Sequence, residues 1–211
     1  MFILLLQKKK PCTYVRNYVT MYMVKRALPT DHRPRPEYKE EQAMSQTRTS
    51  AATSINRNRL PAVYGRFQFA PGSVVFDYGC GRYTDHIRKA LPGCNYLPFD
   101  PYNQPDAVNE NSRAALYLLT LLHRCPVTVV CSNVLNVIDD AETLQAIADK
   151  LTEIATTTGG RALVTVYEGD RTGHGRETGP DQYQRNERTR DYLHLFPAGR
   201  ARIEKNTIVI E

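Results

Sequence analysis

From residue 73 onward, the sequence alternates between short β-rich runs and segments with helical periodicity. Residues 127–131 form a continuous apolar run, which is typical of a strand buried on both faces of a sheet. Strands that alternate with helices form a parallel sheet covered by helices, so the sequence predicts an α/β fold of three layers. The predicted strands are 74–78, 95–99, 127–131 and 161–167, and the predicted helices are 84–91, 112–123 and one that begins with an Asp139/Glu142 capping box and ends at Gly159-Gly160.

The last part of the chain departs from this alternation. Residues 169–180 are a Gly-rich polar loop, and Thr178 followed by Asp181 predicts the cap of a helix that runs to about Phe196. Residues 201–205 and 207–210 predict two strands joined at Lys205-Asn206. Because so tight a connection joins antiparallel partners, we expect the mostly parallel sheet to end in an antiparallel hairpin.

The net charge of +6 is concentrated at one end of the chain. Residues 1–60 hold 12 of the 28 Lys and Arg side chains but only 4 of the 22 Asp and Glu, so the remainder is slightly acidic. Residues 1–54 predict a basic, poorly ordered extension, followed by one domain at 55–211. The alternative interpretation is a basic arm that contacts nucleic-acid phosphates.

Several classes of protein and site are excluded. Residues 1–6 are too short an apolar run to span a membrane, and the lysines that follow reverse the charge order of a signal peptide. The five cysteines form no CxxC pair, which predicts reduced thiols and a cytoplasmic protein. The five histidines belong to no close ligand set, so no metal site is predicted. Nothing in the sequence indicates an oligomeric state.

The strongest indication of a ligand is the turn after the first predicted strand. Gly79 and Gly81 permit positive φ angles and a close backbone approach, and Asp77 can order this turn or bind an amino group. Asp100 ends the next strand, where a carboxylate can accept both hydroxyls of a ribose. A dinucleotide fingerprint would have a third glycine where this chain has Thr84. S-adenosylmethionine, which has an amino acid end and no pyrophosphate, therefore suits the site better than NAD.

Residues 74–81 follow the pattern of three hydrophobic residues and Asp-x-Gly-x-Gly. With Asp100 and the closing hairpin, this pattern resembles the class I S-adenosylmethionine-dependent methyltransferases across roughly residues 55–211. The resemblance implies a three-layer Rossmann-like fold with S-adenosylmethionine as cofactor. It places the methionine end near the glycine turn, the ribose at Asp100, and the adenine near Pro101 and Tyr102. The cofactor site that it implies comprises Asp77, Tyr78, Gly79, Cys80, Gly81, Asp100, Pro101, Ser132 and Asn133.

A narrower resemblance rests on three segments of the chain. Residues 77–82, the Asp100-Pro101 pair and residues 132–138 are similar to methyltransferases found in phages and beside DNA phosphorothioation systems. Residues 54–58 with Pro61 are similar to the segment that precedes the first strand in those proteins. This resemblance implies a DNA-modification or other nucleic-acid context. The chain departs from it at Tyr83, where those proteins commonly have glycine.

Candidates for the reacting face follow the third and fourth predicted strands. The class I pattern places Asn133 and Asn136 there, where their side chains can hold a substrate, although asparagines at strand ends also form turns. The Gly-rich loop offers His174 as a general base and Arg171 as an anion clamp, and Tyr183 joins them in a substrate lid. The sequence lacks both the Asn/Asp-Pro-Pro-Tyr run of amino-group DNA methyltransferases and the Pro-Cys motif of cytosine-C5 enzymes at these positions.

These features predict a methyltransferase that uses S-adenosylmethionine and acts on nucleic acid or a nucleotide. Two alternatives stay open. The enzyme alternative is methylation of a small metabolite. The other is a non-catalytic module with the methyltransferase fold that binds nucleic acid or a partner protein.

Deletion of residues 1–43 tests the basic-arm interpretation. If these residues contact phosphates, the shortened chain will bind DNA more weakly, and its log affinity will depend less steeply on log salt concentration because fewer counterions are released. Fluorescence anisotropy with a labelled mixed-sequence duplex over a salt series measures both quantities. An unchanged affinity and slope would show that the basic excess has no role in binding.

Overall fold

The computed structural model describes residues 59–122, 125–179 and 182–211. The predicted extension at 1–54 and the family-like segment at 54–58 lie outside the described residues. The helices are α1 (Ala62–Arg66), α2 (Asp85–Ala90), α3 (Asp106–Leu122) and α4 (Ala141–Thr157), with 3-10 segments at Leu135–Val137 and Thr189–Leu195. The strands are β1 (Val74–Tyr78), β2 (Asn95–Phe99), β3 (Val127–Ser132), β4 (Arg161–Thr165), β5 (Arg176–Gly179), β6 (Gln182–Gln184), β7 (Ala201–Glu204) and β8 (Thr207–Ile210).

A six-stranded sheet in the order β2-β1-β3-β4-β8-β7 forms the centre of the molecule. Strands β1 to β4 are parallel, β8 is antiparallel to β4, and β7 is antiparallel to β8. β2 and β7 are therefore the edge strands. The predicted α/β sheet, mostly parallel with an antiparallel hairpin at its end, is confirmed.

Side chains alternate between the two faces of the sheet and meet a different helical layer on each. Along β1, Val74 and Phe76 join a cluster with residues of α3 and α4, whereas Val75 joins a cluster with residues of α1 and α2. The sheet thus lies between two layers of helices. Among the described helices, none is long and apolar enough to cross a membrane.

The hairpin that ends the sheet turns at the two predicted residues. Lys205 and Asn206 have φ angles of 49° and 55°, both in the left-handed region. A two-residue connection with positive φ at both positions matches the twist of the strands that it joins. The turn predicted at Lys205-Asn206 is therefore confirmed.

The helix predicted from Thr178 to about Phe196 is wrong. The chain instead forms the antiparallel pair β5 and β6, followed by the 3-10 helix Thr189–Leu195, while Asp181 lies outside the described residues. Asn186 adopts a left-handed φ of 57°, which a right-handed helix does not accommodate. The Arg185 N–H donates to the carbonyl of Asn136 at 2.9 Å. Long-range hydrogen bonds therefore determine the structure of this segment.

The start of α4 differs from its prediction by one residue. Asp140 is the N-cap, and its side chain accepts a hydrogen bond from the Thr143 N–H at 2.6 Å. The predicted capping box of Asp139 and Glu142 is therefore wrong. Because Asp139 and Asp140 are adjacent, the sequence pattern alone did not distinguish them.

α3 begins at Asp106, six positions before the predicted start at residue 112. The hydroxyl of Ser112 donates to the carbonyl of Pro98 at 2.6 Å, so a polar residue lies on the buried face of this helix. Ala115, Leu116 and Leu119 share that face. Leu118, which the apolar pattern assigned to it, is only half-buried.

The cysteines follow the prediction in part. Cys80, Cys94 and Cys131 are free thiols, and Cys80 and Cys131 are buried. Cys125 is disulfide-bonded. The expectation that all five cysteines are reduced is therefore wrong at Cys125.

Gly160 precedes β4 at a point where the chain lies against the start of β3. A Cβ atom there would collide with the backbone carbonyl of Val127. We expect Gly160→Ala to lower the free energy of unfolding by about 1–3 kcal/mol, as other overpacking substitutions do. The matched control is Gly65→Ala in α1, where a Cβ meets no atom within 4 Å. That control is expected to be neutral or to stabilise by about 0.5–1 kcal/mol, and equal urea midpoints for both variants would contradict the prediction.

Candidate functional site

A cavity opens where the parallel strands β1 to β4 end. β1 lies between β2 and β3 in the sheet. The connection from β1 therefore leads to the neighbour on one side, and the connection from β2 crosses back over β1 to the neighbour on the other side. Ligands of parallel α/β sheets bind in the crevice that such a reversal creates. The lining includes Tyr78, Gly79, Gly81, Asp100, Pro101, Tyr102, Asn103, Ser132, Asn133, Asn136, Tyr167 and Tyr183.

The turn after β1 is joined directly to the end of β2. Gly79 and Gly81 have φ angles of 75° and 73°, which explains why glycine occupies both positions. The Gly79 N–H donates to the carbonyl of Phe99 at 2.8 Å, and the Gly81 N–H donates to Asp100 Oδ2 at 2.9 Å. A Cβ at Gly79 would overlap the side chain of Val134. The space beside Gly79 is therefore filled by the loop after β3, and this close packing requires glycine at that position.

The carboxylate of Asp100 is buried and accepts several hydrogen bonds from its own chain. Oδ1 accepts from the N–H groups of Tyr102 at 3.0 Å and Asn103 at 2.9 Å. The side-chain Nδ2 of Asn103 lies 3.2 Å from Oδ1 and 3.3 Å from Oδ2. Within the described residues, Asn103 Oδ1 is buried and finds no hydrogen-bond partner. One side-chain amide thus bridges both oxygens of the proposed ribose acid.

Further side chains fix the backbone around Asp100. Gln104 Nε2 donates to the carbonyl of Gly81 at 2.6 Å, opposite the N–H that Asp100 binds. Asn109 in α3 accepts from the Asp100 N–H and donates to the Asp100 carbonyl, both at 2.9 Å. The roles of Asn103, Gln104 and Asn109 were not predicted from the sequence. The only signal was a cluster of amide side chains shortly after a strand-ending acid, a composition that any turn can have.

Asp77 lies on the opposite face of the sheet from the cavity-lining residues of β1 and does not line the cavity. Its carboxylate is 2% exposed and accepts a hydrogen bond of 2.6 Å from the Tyr96 hydroxyl. The Tyr64 hydroxyl is buried near the same carboxylate. Burial raises the pKa of Asp77 from 3.8 to about 6, although the hydrogen bond from Tyr96 acts in the opposite direction. These contacts suit the turn-ordering role better than contact with an amino group.

The other expected cofactor residues divide into two groups. Tyr78, Pro101, Ser132 and Asn133 line the cavity with the two glycines and Asp100. Cys80 does not line it, and burial raises the pKa of its thiol far above the ordinary value. Tyr83, the departure from the family pattern, is also outside the lining.

Three of the five candidate catalytic residues line the cavity, namely Asn133, Asn136 and Tyr183. Asn133 has a left-handed φ of 59°, and its N–H donates to the carbonyl of Thr165 at 2.8 Å. His174 and Arg171 are exposed and lie outside the lining. Arg171 Nε forms an ion pair of 2.7 Å with Glu168, three residues after the end of β4.

The amide of Asn136 is already engaged by the protein. Its Nδ2 donates to Gln184 Oε1 at 3.1 Å, and its Oδ1 accepts from the Tyr167 N–H at 3.3 Å. Asn136 therefore supports the wall of the cavity.

No cluster of three or more His, Cys, Asp and Glu side chains suited to a metal ion occurs in the part of the chain that the structure describes.

Comparisons of the sequence and structure with protein-family models, curated proteins and solved structures give no match.

The buried carboxylate of Asp77 predicts a pH dependence of stability. Its pKa is higher in the folded protein than in the unfolded chain, so the folded state binds the proton more tightly. Stability from this group is complete below about pH 4 and declines as the pH rises to about 6, by about 3 kcal/mol for a shift of this size. Asp77→Asn should remove this decline in urea unfolding experiments from pH 4 to 7. The control Asp140→Asn, at the exposed cap of α4, should retain the decline, and an unchanged profile for Asp77→Asn would contradict the prediction.

Proposed function

We propose that the chain is an S-adenosylmethionine-dependent methyltransferase with the class I, Rossmann-like fold. The observation that carries the proposal is the hydrogen bond between the Gly81 N–H and Asp100 Oδ2 at 2.9 Å. This bond joins a glycine turn to a strand-ending acid in the cavity where the strand order of a parallel sheet reverses. Both residue types and this position suit a nucleoside with an amino acid substituent.

The residues around Asp100 fit the ribose and adenine part of this cofactor. Rotation of the bridging Asn103 amide would remove one hydrogen bond from each carboxylate oxygen of Asp100 and leave room for two hydroxyl donors, while the bonds from the N–H groups of Gly81, Tyr102 and Asn103 would stay. The buried, unpaired Oδ1 of Asn103 makes its present orientation costly by about 1–3 kcal/mol. Pro101 and Tyr102 follow in the cavity lining, and Tyr102 is 41% exposed, which leaves surface for the adenine ring.

The methionine end would lie beside the glycine turn, with Ser132 and Asn133 across the cavity. Asp77 would act on it only indirectly, because its carboxylate orders the turn from the other face. When bound, S-adenosylmethionine supplies a methyl group on a sulfonium sulfur that a nucleophile can displace in line. Asn133 would hold the acceptor, since its backbone is fixed by Thr165 and positioning lowers the barrier of such a transfer. No base is assigned, because His174 lies outside the lining.

Nucleic acid or a nucleotide is the proposed substrate, and the resemblance to phage and DNA-modification methyltransferases is its main support. Methylation of a small metabolite is the alternative within the same chemistry. We propose a cytoplasmic location on the free thiols of Cys80, Cys94 and Cys131, while the disulfide at Cys125 is of the kind that oxidising compartments favour.

A non-catalytic binding module is the second candidate function. It is favoured by one observation, which is that Asp100 already accepts hydrogen bonds from Gly81, Tyr102 and Asn103 of its own chain. A carboxylate used in this way can serve the fold alone. Cofactor binding therefore has to be measured before transfer.

Calorimetric titration with S-adenosylmethionine tests the proposal. We expect the wild type to bind, Asp100→Ala to bind roughly 10- to 100-fold more weakly through loss of charge-assisted hydrogen bonds, and Asn103→Ala to bind more tightly. Asp106→Ala, at the start of α3 and outside the cavity lining, is the control and should match the wild type.

A folded wild type that gives no heat of binding would contradict the cofactor assignment. If it binds, transfer of a radiolabelled methyl group to separate DNA, RNA and metabolite pools identifies the substrate class. Labelling of no pool would favour the binding module.

A further inference from the structure

Tyr167 is the most exposed large hydrophobic side chain among the described residues. It is 63% exposed and lines the cavity two residues after the end of β4. The neighbouring residue Val166 is buried in the core. An aromatic ring left in contact with water at the entrance of a cavity is a surface on which a ligand can be placed.

The backbone of Tyr167 is held on both sides by buried amides. Its N–H donates to Asn136 Oδ1 at 3.3 Å, and its carbonyl accepts from Gln184 Nε2 at 2.9 Å. The two amides also bond to each other at 3.1 Å, and their residues are only 2% and 8% exposed. Each buried amide would cost about 1–3 kcal/mol if left without a partner, so this closed set of three hydrogen bonds resists movement of the Tyr167 backbone.

The same strand end connects Tyr167 to the proposed reacting face. Thr165, two residues earlier, accepts the hydrogen bond from the N–H of Asn133. Tyr167 is therefore only two residues from Thr165, which fixes the backbone of Asn133. Asn133 is the residue that we propose to hold the methyl acceptor. Arg176, at the start of β5, also lines the cavity, together with the carboxylate of Asp170, with which it interacts electrostatically.

We propose that Tyr167 is a stacking residue for the acceptor and that the acceptor is a nucleobase, presented in a single strand or as a free nucleotide. Every nucleobase has a flat aromatic face, and stacking on an aromatic side chain contributes about 1–3 kcal/mol per base. A base inside a duplex has both faces covered, so it must be extruded before it can stack on a protein ring. This inference deepens the proposed function, on which the methyl-accepting role of the base rests, whereas base stacking itself can be measured without the cofactor.

The absence of tryptophan from the sequence allows a direct optical test. Tyr167→Trp introduces the only indole, and a base stacked on it should quench its fluorescence. The matched control is Tyr117→Trp in α3, because Tyr117 is 46% exposed and lies outside the cavity lining. The probes are short single-stranded DNA, single-stranded RNA and the ribonucleoside monophosphates, each without S-adenosylmethionine. We expect saturable quenching in the Tyr167→Trp variant and none in the Tyr117→Trp variant.

Affinity measurements by fluorescence anisotropy on labelled strands, or by calorimetry on monophosphates, complete the test. Tyr167→Ala should weaken binding about tenfold, the equivalent of about 1.4 kcal/mol, while Tyr167→Phe should retain it because the ring is kept. Quenching by the strands assigns a nucleic-acid acceptor, and quenching by the monophosphates alone assigns a nucleotide.

Two results would overturn the inference. They are no saturable quenching in the Tyr167→Trp variant, or an affinity of Tyr167→Ala equal to that of the wild type. Calorimetric binding of S-adenosylmethionine together with no quenching would refute the stacking role and keep the proposed function. Quenching without S-adenosylmethionine binding would refute the cofactor assignment and retain Tyr167 as a base-binding residue.

Discussion

The glycine turn after β1 keeps its conformation because the N–H and the carbonyl of Gly81 both form hydrogen bonds with side chains outside the turn. The N–H of Gly81 donates to Asp100, and its carbonyl accepts from Gln104. Both partners belong to the connection between β2 and α3, so this single residue couples the two crossovers that flank the cavity. If either bond were lost, the φ angle of 73° at Gly81 would have less to hold it, because glycine has no side chain to restrict it. The position of Asp100, and with it the proposed ribose contact, depends on the same bonds.

Two buried amide networks occupy neighbouring parts of the cavity wall and have different consequences. Around Asp100, the Oδ1 of Asn103 has no hydrogen-bond partner among the described residues, so the proposed ligand would displace this amide at little cost. Around Tyr167, Asn136 and Gln184 satisfy each other and the backbone, so that network has no such alternative. In the proposed methyltransferase, the cofactor end would be able to rearrange and the acceptor end would stay fixed, which would help to orient the acceptor for transfer.

The strands and the final hairpin were predictable because their signals are local: apolar runs at β1 to β4, and a pair of residues at Lys205-Asn206 that can take positive φ. The orientation of Asp77 also follows from strand alternation, since Val75 and Asp77 must share a face. The sequence motif instead suggests that Asp77 contacts the cofactor, because a motif specifies a residue type and not the face of the sheet on which its side chain lies. The path of the chain through β6 was not predictable, because Gln184 and Arg185 are held by Asn136, some 48 positions away in the case of Gln184. The roles of Asn109 and Ser112 were missed because their partners, the backbone groups of Asp100 and Pro98, belong to a different part of the fold from α3.

Those two α3 side chains also explain why the sheet stops at β2. Pro98 has no N–H to offer, and its carbonyl is taken by Ser112. One step further along the same edge, Asn109 binds both the N–H and the carbonyl of Asp100, as a residue of an added strand would. An unguarded edge invites pairing with another chain and, from there, aggregation. By forming hydrogen bonds with these backbone groups, α3 prevents this part of the β2 edge from pairing with a strand of another protein molecule.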